Sequence, residues 1–104
     1  MVQEINSYAD FKHTLEINDK VIVDFYADWC VPCKKITPFI KKLSEEYPKI
    51  TFIKVNVDNV PEITELHKVK ALPTFMFFKK GQVQDKLTIV GANTESLSDV
   101  VSKF

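Results

Sequence analysis

The sequence predicts an α/β fold in which a mixed central β-sheet has helices on both faces. Nearly continuous apolar segments rich in β-branched residues alternate with segments whose apolar residues recur at helical spacing. The first pattern is typical of strands covered on both faces, and the second of amphipathic helices. The predicted order is β-α-β-α-β-α-β-β-α. With 104 residues, 45% of them hydrophobic, the chain is expected to form a single domain over residues 1–104.

The first half of the chain supplies three strands and two helices. An edge strand is expected over Val2–Ile5, and Ser7, a typical N-cap residue, precedes a helix. Residues 21–27 form the first buried strand, and residues 50–57 form the second. The helix between them begins at about Cys30 and has apolar residues at helical spacing: Ile36, Phe39, Ile40, Leu43 and Tyr47.

The second half adds a third buried strand, a hairpin and two more helices. Residues 61–69 predict a short helix with Pro61 in its first turn, and residues 74–80 predict a buried strand. Residues 79–82 predict a hairpin turn, after which the second strand is expected over roughly residues 85–92. The last helix begins at residue 93 or 94 and has an apolar face of Leu97, Val100, Val101 and Phe104.

Charge and hydropathy exclude several classes of partner. Fourteen basic and fourteen acidic residues give a formal net charge of zero, which indicates neither a nucleic acid nor a membrane surface as partner. No apolar segment approaches the ~18 residues of a membrane span, and the N-terminal segment lacks the pattern of a signal peptide. We therefore expect a cytoplasmic protein, and we separately expect it to be a monomer. In a reducing cytosol a lone cysteine pair is more often catalytic or metal-bound than a structural bridge.

The only two cysteines, Cys30 and Cys33, stand where a buried strand gives way to a helix. Unpaired N–H groups and the helix dipole at such a junction favour thiolate over thiol. Side chains three residues apart on a helix have Cβ atoms about 5–6 Å apart, close to bridging distance. Pro32 stiffens the first turn. A redox pair is thus favoured over buried packing, a Cys–His nucleophile, or a zinc half-site that only His13 and His67 could complete.

Asp24 is a lone acid within the apolar strand over residues 21–26. A buried carboxylate is costly unless it is paired or protonated. One interpretation is an ion pair with Lys54 on the neighbouring strand, which would lower the pKa of Asp24 while burial raises it. The other is a proton relay in which Asp24 accepts the thiol proton of Cys33, through water. The two interpretations are compatible.

The segments VDFYADWCVPCK (residues 23–34), ALPTF (residues 71–75) and GA (residues 91–92) closely resemble the thioredoxin family. The resemblance covers almost the whole chain and implies the thioredoxin fold. It also implies the site residues: the motif Trp29, Cys30, Pro32 and Cys33, the buried Asp24 with Lys54 across the sheet, the helix-kinking Pro38, Pro73 after a cis bond, and Gly91 in the substrate groove.

Two further features of the motif bear on partner recognition. Val31 stands where the family usually has glycine, and Lys35 where an apolar residue is common. These departures concern redox poise and partner preference rather than the basic chemistry.

A cis Leu72–Pro73 bond would expose the backbone of Leu72 as a short edge for a bound peptide, and Trp29 would be a surface platform beside it.

The resemblance implies a protein-disulfide reductase that carries electrons as a dithiol. Cys30 would attack a target disulfide, and Cys33 would resolve the mixed disulfide and leave a Cys30–Cys33 disulfide. No bound cofactor is expected, because no glycine-rich phosphate loop follows a strand. The resemblance implies that electrons come from NADPH through a flavin-dependent thioredoxin reductase. Implied targets are disulfide-containing proteins such as peroxiredoxins and ribonucleotide reductase.

Two other functions are consistent with such a chain. A disulfide oxidase or isomerase of the same fold is disfavoured by Pro32, because oxidising relatives commonly have histidine there. A non-catalytic interaction module is disfavoured because both cysteines, Cys30 and Cys33, are retained, and binding alone would not need them.

Overall fold

A computed structural model describes all 104 residues. Four α-helices and a six-stranded sheet follow one another along the chain. Their bounds are β1 Val2–Ile5, α1 Tyr8–Ile17, β2 Lys20–Tyr26, α2 Val31–Glu46, β3 Thr51–Asn56, α3 Pro61–Leu66, β4 Thr74–Lys79, β5 Gln82–Val83, β6 Ile89–Val90 and α4 Thr94–Lys103. No helix combines the length and the apolar character needed to cross a membrane.

The sheet is mixed, as predicted. The strand order begins at one edge with β1-β3-β2-β4, and β5 and β6 both pair with β4 at the other edge. Strands β1, β2 and β3 run parallel, whereas β4 is antiparallel to β2. The edge position predicted for Val2–Ile5 is therefore confirmed, and β2 lies at the centre of the sheet.

Alternation along β2 divides its side chains between two hydrophobic cores. Val21, Val23 and Phe25 pack in the core that includes residues of α1 and α3. Ile22 packs in the core that includes residues of α2 and α4. Because side chains two residues apart in a strand share a face, Asp24 lies on the same face as Ile22. The lone acid of β2 thus faces the layer that contains α2, the helix that begins next to Cys30.

The strand predicted over residues 85–92 is wrong as a continuous element. The turn is followed at once by β5, and a 3-10 turn over Asp85–Leu87 separates β5 from β6. Val83 pairs with Phe78, so an unbroken strand would place Lys86 opposite Phe75, where Ile89 lies instead. The 3-10 turn takes up the extra residues. It lets Val83 pack against one core and Ile89 against the other, although their even spacing would put both on one face.

Local interactions set the ends of the helices. Ser7 Oγ accepts a hydrogen bond from the backbone N–H of Asp10 at 3.0 Å, which confirms Ser7 as the N-cap of α1. Asn93 caps α4 in the same way, through the N–H of Ser96. Helix α3 ends at Leu66, before the predicted end at residue 69, because Lys68 adopts a left-handed φ of 54° that cannot continue a helix.

We expect Gly81→Ala to destabilise the fold. Gly81 has a φ of 79° in the turn between β4 and β5, and a Cβ there would meet nothing closer than the Leu15 carbonyl oxygen at 3.8 Å. The loss therefore comes from the left-handed backbone alone and should be about 1 kcal/mol in urea unfolding. Gln82→Ala, at the exposed neighbouring position, is the control. Equal stability of the two variants would contradict this account of the turn.

Candidate active site

Cys30 and Cys33 form a disulfide at the junction between β2 and α2, with Cα atoms 5.3 Å apart. Cys30 is the N-cap of α2, and Cys33 lies in the first turn of that helix. Strand β2 ends at Tyr26, so a short loop leads directly from the carboxyl end of a central strand to the helix. The predicted position of the pair at this edge of the sheet is confirmed.

The surroundings of Cys30 Sγ favour its thiolate form. The sulfur accepts a hydrogen bond from the backbone N–H of Cys33 at 3.3 Å. The first turn of α2 contains no acidic residue, so no carboxylate opposes the partial positive charge of the helix terminus there. An N–H group and a helix N-terminus directed at one sulfur stabilise negative charge on that sulfur once the disulfide is reduced.

Accessibility hardly distinguishes the two cysteines. Cys30 is 5% accessible and Cys33 is 3% accessible, so Cys30 is only slightly the more exposed. The loop packs both against Ala27, with Leu72 and Val57 beside them. The difference lies in direction: Cys30 lines a surface groove, and Cys33 is absent from its lining.

The groove beside Cys30 is mainly apolar and has a volume of about 530 Å³. Trp29, Val31 and Pro32 form one side of it, and residues 69–72, which include Leu72, contribute to the lining before β4. Trp29 is 69% exposed and Val31 is 57% exposed. Large apolar side chains that remain this accessible around a reactive group form a surface suited to a partner protein.

A hydrogen bond fixes the exposed ring of Trp29. Its Nε1–H donates to Asp58 Oδ2 at 3.0 Å. The backbone N–H of Asp58 in turn donates to Asn56 Oδ1 at 3.0 Å, at the end of β3. Asp58 was not identified from the sequence, because a lone aspartate in a loop gives no signal of its partner.

The peptide bond between Leu72 and Pro73 is cis, as the resemblance implied. Leu72 lines the groove, and Pro73 is buried at the start of β4. Gly91 does not line the groove itself. Its N–H donates to the carbonyl oxygen of Pro73 at 2.8 Å, and its φ of 103° is one that side chains rarely permit. Gly91 thus contacts the groove-forming segment through its backbone.

Pro38 lies inside α2, away from the groove and on the exposed face of the helix. Having no N–H, it leaves the carbonyl oxygen of Lys34 without its usual helical donor. The lysines of this helix are exposed and form a solvated face: Lys34, Lys35, Lys41 and Lys42.

Asp24 lies in a second cavity, of about 460 Å³, on the α2 side of the sheet. The residue is 8% exposed, and its Oδ1 is buried without a hydrogen-bond partner. Burial raises the pKa of Asp24 to about 7, against the lowering effect of Lys54, while the charge of Glu4 raises it further. Thr37 also lines this cavity and donates to the carbonyl oxygen of Cys33 at 3.0 Å. The cavity therefore reaches the helical turn that begins at Cys33.

The expected ion pair between Asp24 and Lys54 is not formed. The two residues are in register on neighbouring strands, but Lys54 Nζ pairs with Glu4 Oε1 at 3.8 Å. Lys54 lies between Glu4 and Asp24 in the sheet. The ion pair forms with Glu4 because that pair is partly exposed, so the charges keep part of their hydration. Glu4 was missed, because its strand register cannot be derived from the local sequence.

Neither histidine joins the cysteines, and no group of three or more potential metal ligands is present. His13 is exposed on α1. His67 is partly buried, and its ring packs edge-on against Phe11 and Phe78, with centroids 5.6 and 5.4 Å away. Burial lowers the pKa of His67, against the opposing charge of Asp85.

Comparison with known proteins identifies the family. The family model for thioredoxin matches residues 2–103. Thioredoxin 1 of Plasmodium falciparum is 43% identical over 104 residues, which covers all of this chain and 98% of the relative. The mitochondrial thioredoxin-2 of Schizosaccharomyces pombe is 43% identical over 103 residues, which covers 99% of this chain and 76% of the relative.

Solved structures agree over nearly the full length. Plasmodium falciparum thioredoxin superimposes with a TM-score of 0.94 at 42% identity, covering 98% of each chain. A chain from a study of the thiol resolving mechanism in yeast mitochondrial 1-Cys peroxiredoxin gives 0.92 at 35% identity, covering 99% of this chain and 95% of the other. This chain has the thioredoxin fold, and it belongs to the thioredoxin family, whose members are oxidoreductases that act by dithiol–disulfide exchange.

Proposed function

We propose that this protein-disulfide reductase uses Cys30 as the attacking thiol and Cys33 as the resolving thiol. The observation that supports this assignment is that Cys30 Sγ accepts a helix N-terminal N–H in an apolar groove, whereas Cys33 does not line the groove. A thiolate at Cys30 is stabilised by its surroundings and is directed toward the surface where a partner would bind.

The reaction transfers two electrons to the target in two exchanges. The Cys30 thiolate attacks one sulfur of the target disulfide, forms a mixed disulfide and expels the other target sulfur as a thiolate. Cys33 then loses its proton and attacks Cys30 Sγ. This second exchange forms the Cys30–Cys33 disulfide and releases the second target sulfur as a thiolate. The target leaves reduced, and the protein leaves oxidised.

We propose that Asp24 accepts the proton of Cys33 through a water molecule in the cavity lined by β2 and α2. An acceptor works best when its pKa is near the pH of the reaction, and the pKa of Asp24 is about 7. A carboxylate with an ordinary pKa would be fully ionised and too weak a base. The unpartnered Oδ1 of Asp24 leaves an acceptor site free for a water molecule.

The remaining side chains of the site have positioning roles in this proposal. Trp29, Val31, Pro32 and Leu72 bind the target segment on either side of Cys30. Pro73 and Gly91, joined by their backbone hydrogen bond, hold the groove-forming segment in place. Pro38 shapes α2, which presents both cysteines.

We further propose that a thioredoxin reductase returns the protein to the dithiol form with electrons from NADPH. Proposed targets are disulfide-containing proteins, with peroxiredoxins and ribonucleotide reductase as candidates. A peroxiredoxin is named in the study that gave one similar structure. The measurement is NADPH oxidation with the reductase, this protein as carrier and a disulfide target. Oxidation that did not depend on the carrier would contradict the proposal.

We place the working protein in the cytoplasm as a monomer, because a dithiol reductant needs a compartment that keeps thiols reduced. The relatives include a mitochondrial protein, so the placement needs its own test. Immunoblots of cell fractions should find the native protein with cytosolic markers, and light scattering should give the mass of one 12.0 kDa chain. Recovery with mitochondrial markers, or as a dimer, would overturn this assignment.

Replacing each cysteine by serine should have different consequences. Cys30→Ser should abolish the reduction of insulin, because no thiolate attacks the target. Cys33→Ser should accumulate covalent mixed disulfides, because the resolving thiol is missing. Non-reducing electrophoresis with a disulfide target distinguishes the two outcomes. Normal turnover by Cys33→Ser, or accumulation of adducts by Cys30→Ser, would contradict the assigned roles.

Asp24→Asn should stabilise the protein at neutral pH and slow the resolving step. The folded-state pKa of about 7 lies above the unfolded value of 3.8, so the folded state binds more protons between these two values. Stability contributed by the protonated carboxyl is therefore lost as pH rises from about 4 to 7, and the loss reaches on the order of 4 kcal/mol. Asparagine does not ionise, so the variant avoids this loss.

Denaturant unfolding at pH 4 and pH 7 tests the first part, because the variant and the parent should differ much more at pH 7. Single-turnover reduction of a disulfide peptide tests the second part, because Cys33 has lost its proton acceptor. A variant whose advantage is the same at both pH values would contradict the raised pKa. A variant that reacts at the parent rate would show that Asp24 accepts no proton in the reaction.

A further inference from the structure

Three charged side chains lie side by side across neighbouring strands on the α2 face of the sheet. Glu4 of β1 is in register with Lys54 of β3, and Lys54 is in register with Asp24 of β2. Alternation puts all three on the same face, opposite to Ile5, Val55 and Phe25, which pack in the core with α1 and α3. One ammonium group thus stands between two carboxyl groups.

The contacts show which acid Lys54 binds. Lys54 Nζ lies 3.8 Å from Glu4 Oε1 and has no ion pair with Asp24. The hydroxyl of Tyr26 donates to the same Oε1 at 2.5 Å, and Lys54 Nζ lies 5.5 Å from the centroid of the Tyr26 ring. Tyr26 therefore orients Glu4 and provides a second surface for the ammonium group. Burial and the hydrogen bond to Glu4 raise the pKa of Tyr26, so its hydroxyl remains a neutral donor.

We infer that Glu4 is a positioning residue for the resolving step, because it holds Lys54 away from Asp24 and so keeps Asp24 a strong enough base to take the Cys33 proton. The inference rests on the proposed role of Asp24 as proton acceptor. The ion pair itself is partly exposed and adds little to stability. What the Lys54–Glu4 pair determines is the position of the Lys54 ammonium group. If Lys54 paired with Asp24 instead, it would favour the ionised, weakly basic form of the Asp24 carboxyl group.

No other charged group around the cavity contacts Lys54 or pairs with Asp24. Lys41 and Glu45 of α2 line the cavity and are exposed, and neither forms an ion pair with Asp24 or Lys54. The amino group of Met1 also lies at the cavity, where it donates to Ser44 Oγ at 3.0 Å. Glu4 is the carboxylate that contacts Lys54.

The test follows the carboxyl titration of Asp24 by ¹³C NMR in four proteins in the disulfide form: the parent, Glu4→Gln, Lys54→Met and the double variant. Glutamine retains an oxygen for the Tyr26 hydroxyl but binds lysine weakly. We expect Glu4→Gln to move the Asp24 midpoint to lower pH by on the order of one pH unit. Glu45→Gln, which removes another carboxylate from the same cavity, should move it less.

The Lys54→Met background distinguishes an effect of Glu4 on the position of Lys54 from a direct effect of the charge of Glu4 on Asp24. If Glu4 acts by holding Lys54, Glu4→Gln should move the Asp24 midpoint by less than half as much when Lys54 is absent. An equal shift in both backgrounds would mean that Glu4 acts only through its own charge. No shift in either background would mean that Lys54 does not turn to Asp24. Either result would overturn the inference.

A kinetic measurement distinguishes failure of this inference from failure of the proposed function. The pH profile of the resolving step, measured in single turnover, should move to lower pH in Glu4→Gln together with the NMR midpoint. A moved NMR midpoint with an unchanged rate profile would refute Asp24 as the proton acceptor, and with it the catalytic part of the inference. An unmoved NMR midpoint would refute the positioning by Glu4 while leaving the role of Asp24 intact.

Discussion

The burial of one carboxyl group beneath α2 is the constraint on which the rest of the site depends. Asp24 is in the central strand, with its Oδ1 unpaired and its pKa raised to about 7 by burial. A position this unfavourable for a charge lowers the stability of the fold at neutral pH. In the mechanism that we propose, the same position gives Asp24 a base strength that matches the reaction, which a well-paired surface aspartate would not have.

The geometry of one strand and one helix positions Asp24 and the two cysteines. Strand β2 places Asp24 on the α2 side, and the short loop after Tyr26 brings the chain to Cys30 at the N-cap. The backbone N–H of Cys33, in the first turn of α2, donates to Cys30 Sγ and would stabilise negative charge there. The cavity at Asp24 extends to the helical turn that begins at Cys33. This arrangement is the basis of the proposed roles, in which Cys30 attacks the target and Asp24 accepts the proton of Cys33.

The sequence predicted those features that depend on local pattern. Alternation and apolar runs located the strands, the Cys30–Cys33 spacing at a strand–helix junction located the site, and a lone acid among apolar residues identified Asp24. The pairing of Lys54 with Glu4 could not be predicted, because it depends on the register between β1 and β3. The break before β6 was also missed, since it arises from the need to place Val83 and Ile89 in different cores.

Burial outweighs Lys54 in setting the proton affinity of Asp24. The most direct measurement is the midpoint of the Asp24 carboxyl titration in the unmodified protein, observed by ¹³C NMR. We expect a midpoint near pH 7, because burial raises the pKa of Asp24 more than Lys54 lowers it, and Glu4 raises it further. A midpoint near the ordinary aspartate value of about 3.9 would show instead that Asp24 is ionised throughout the working range and that burial does not dominate.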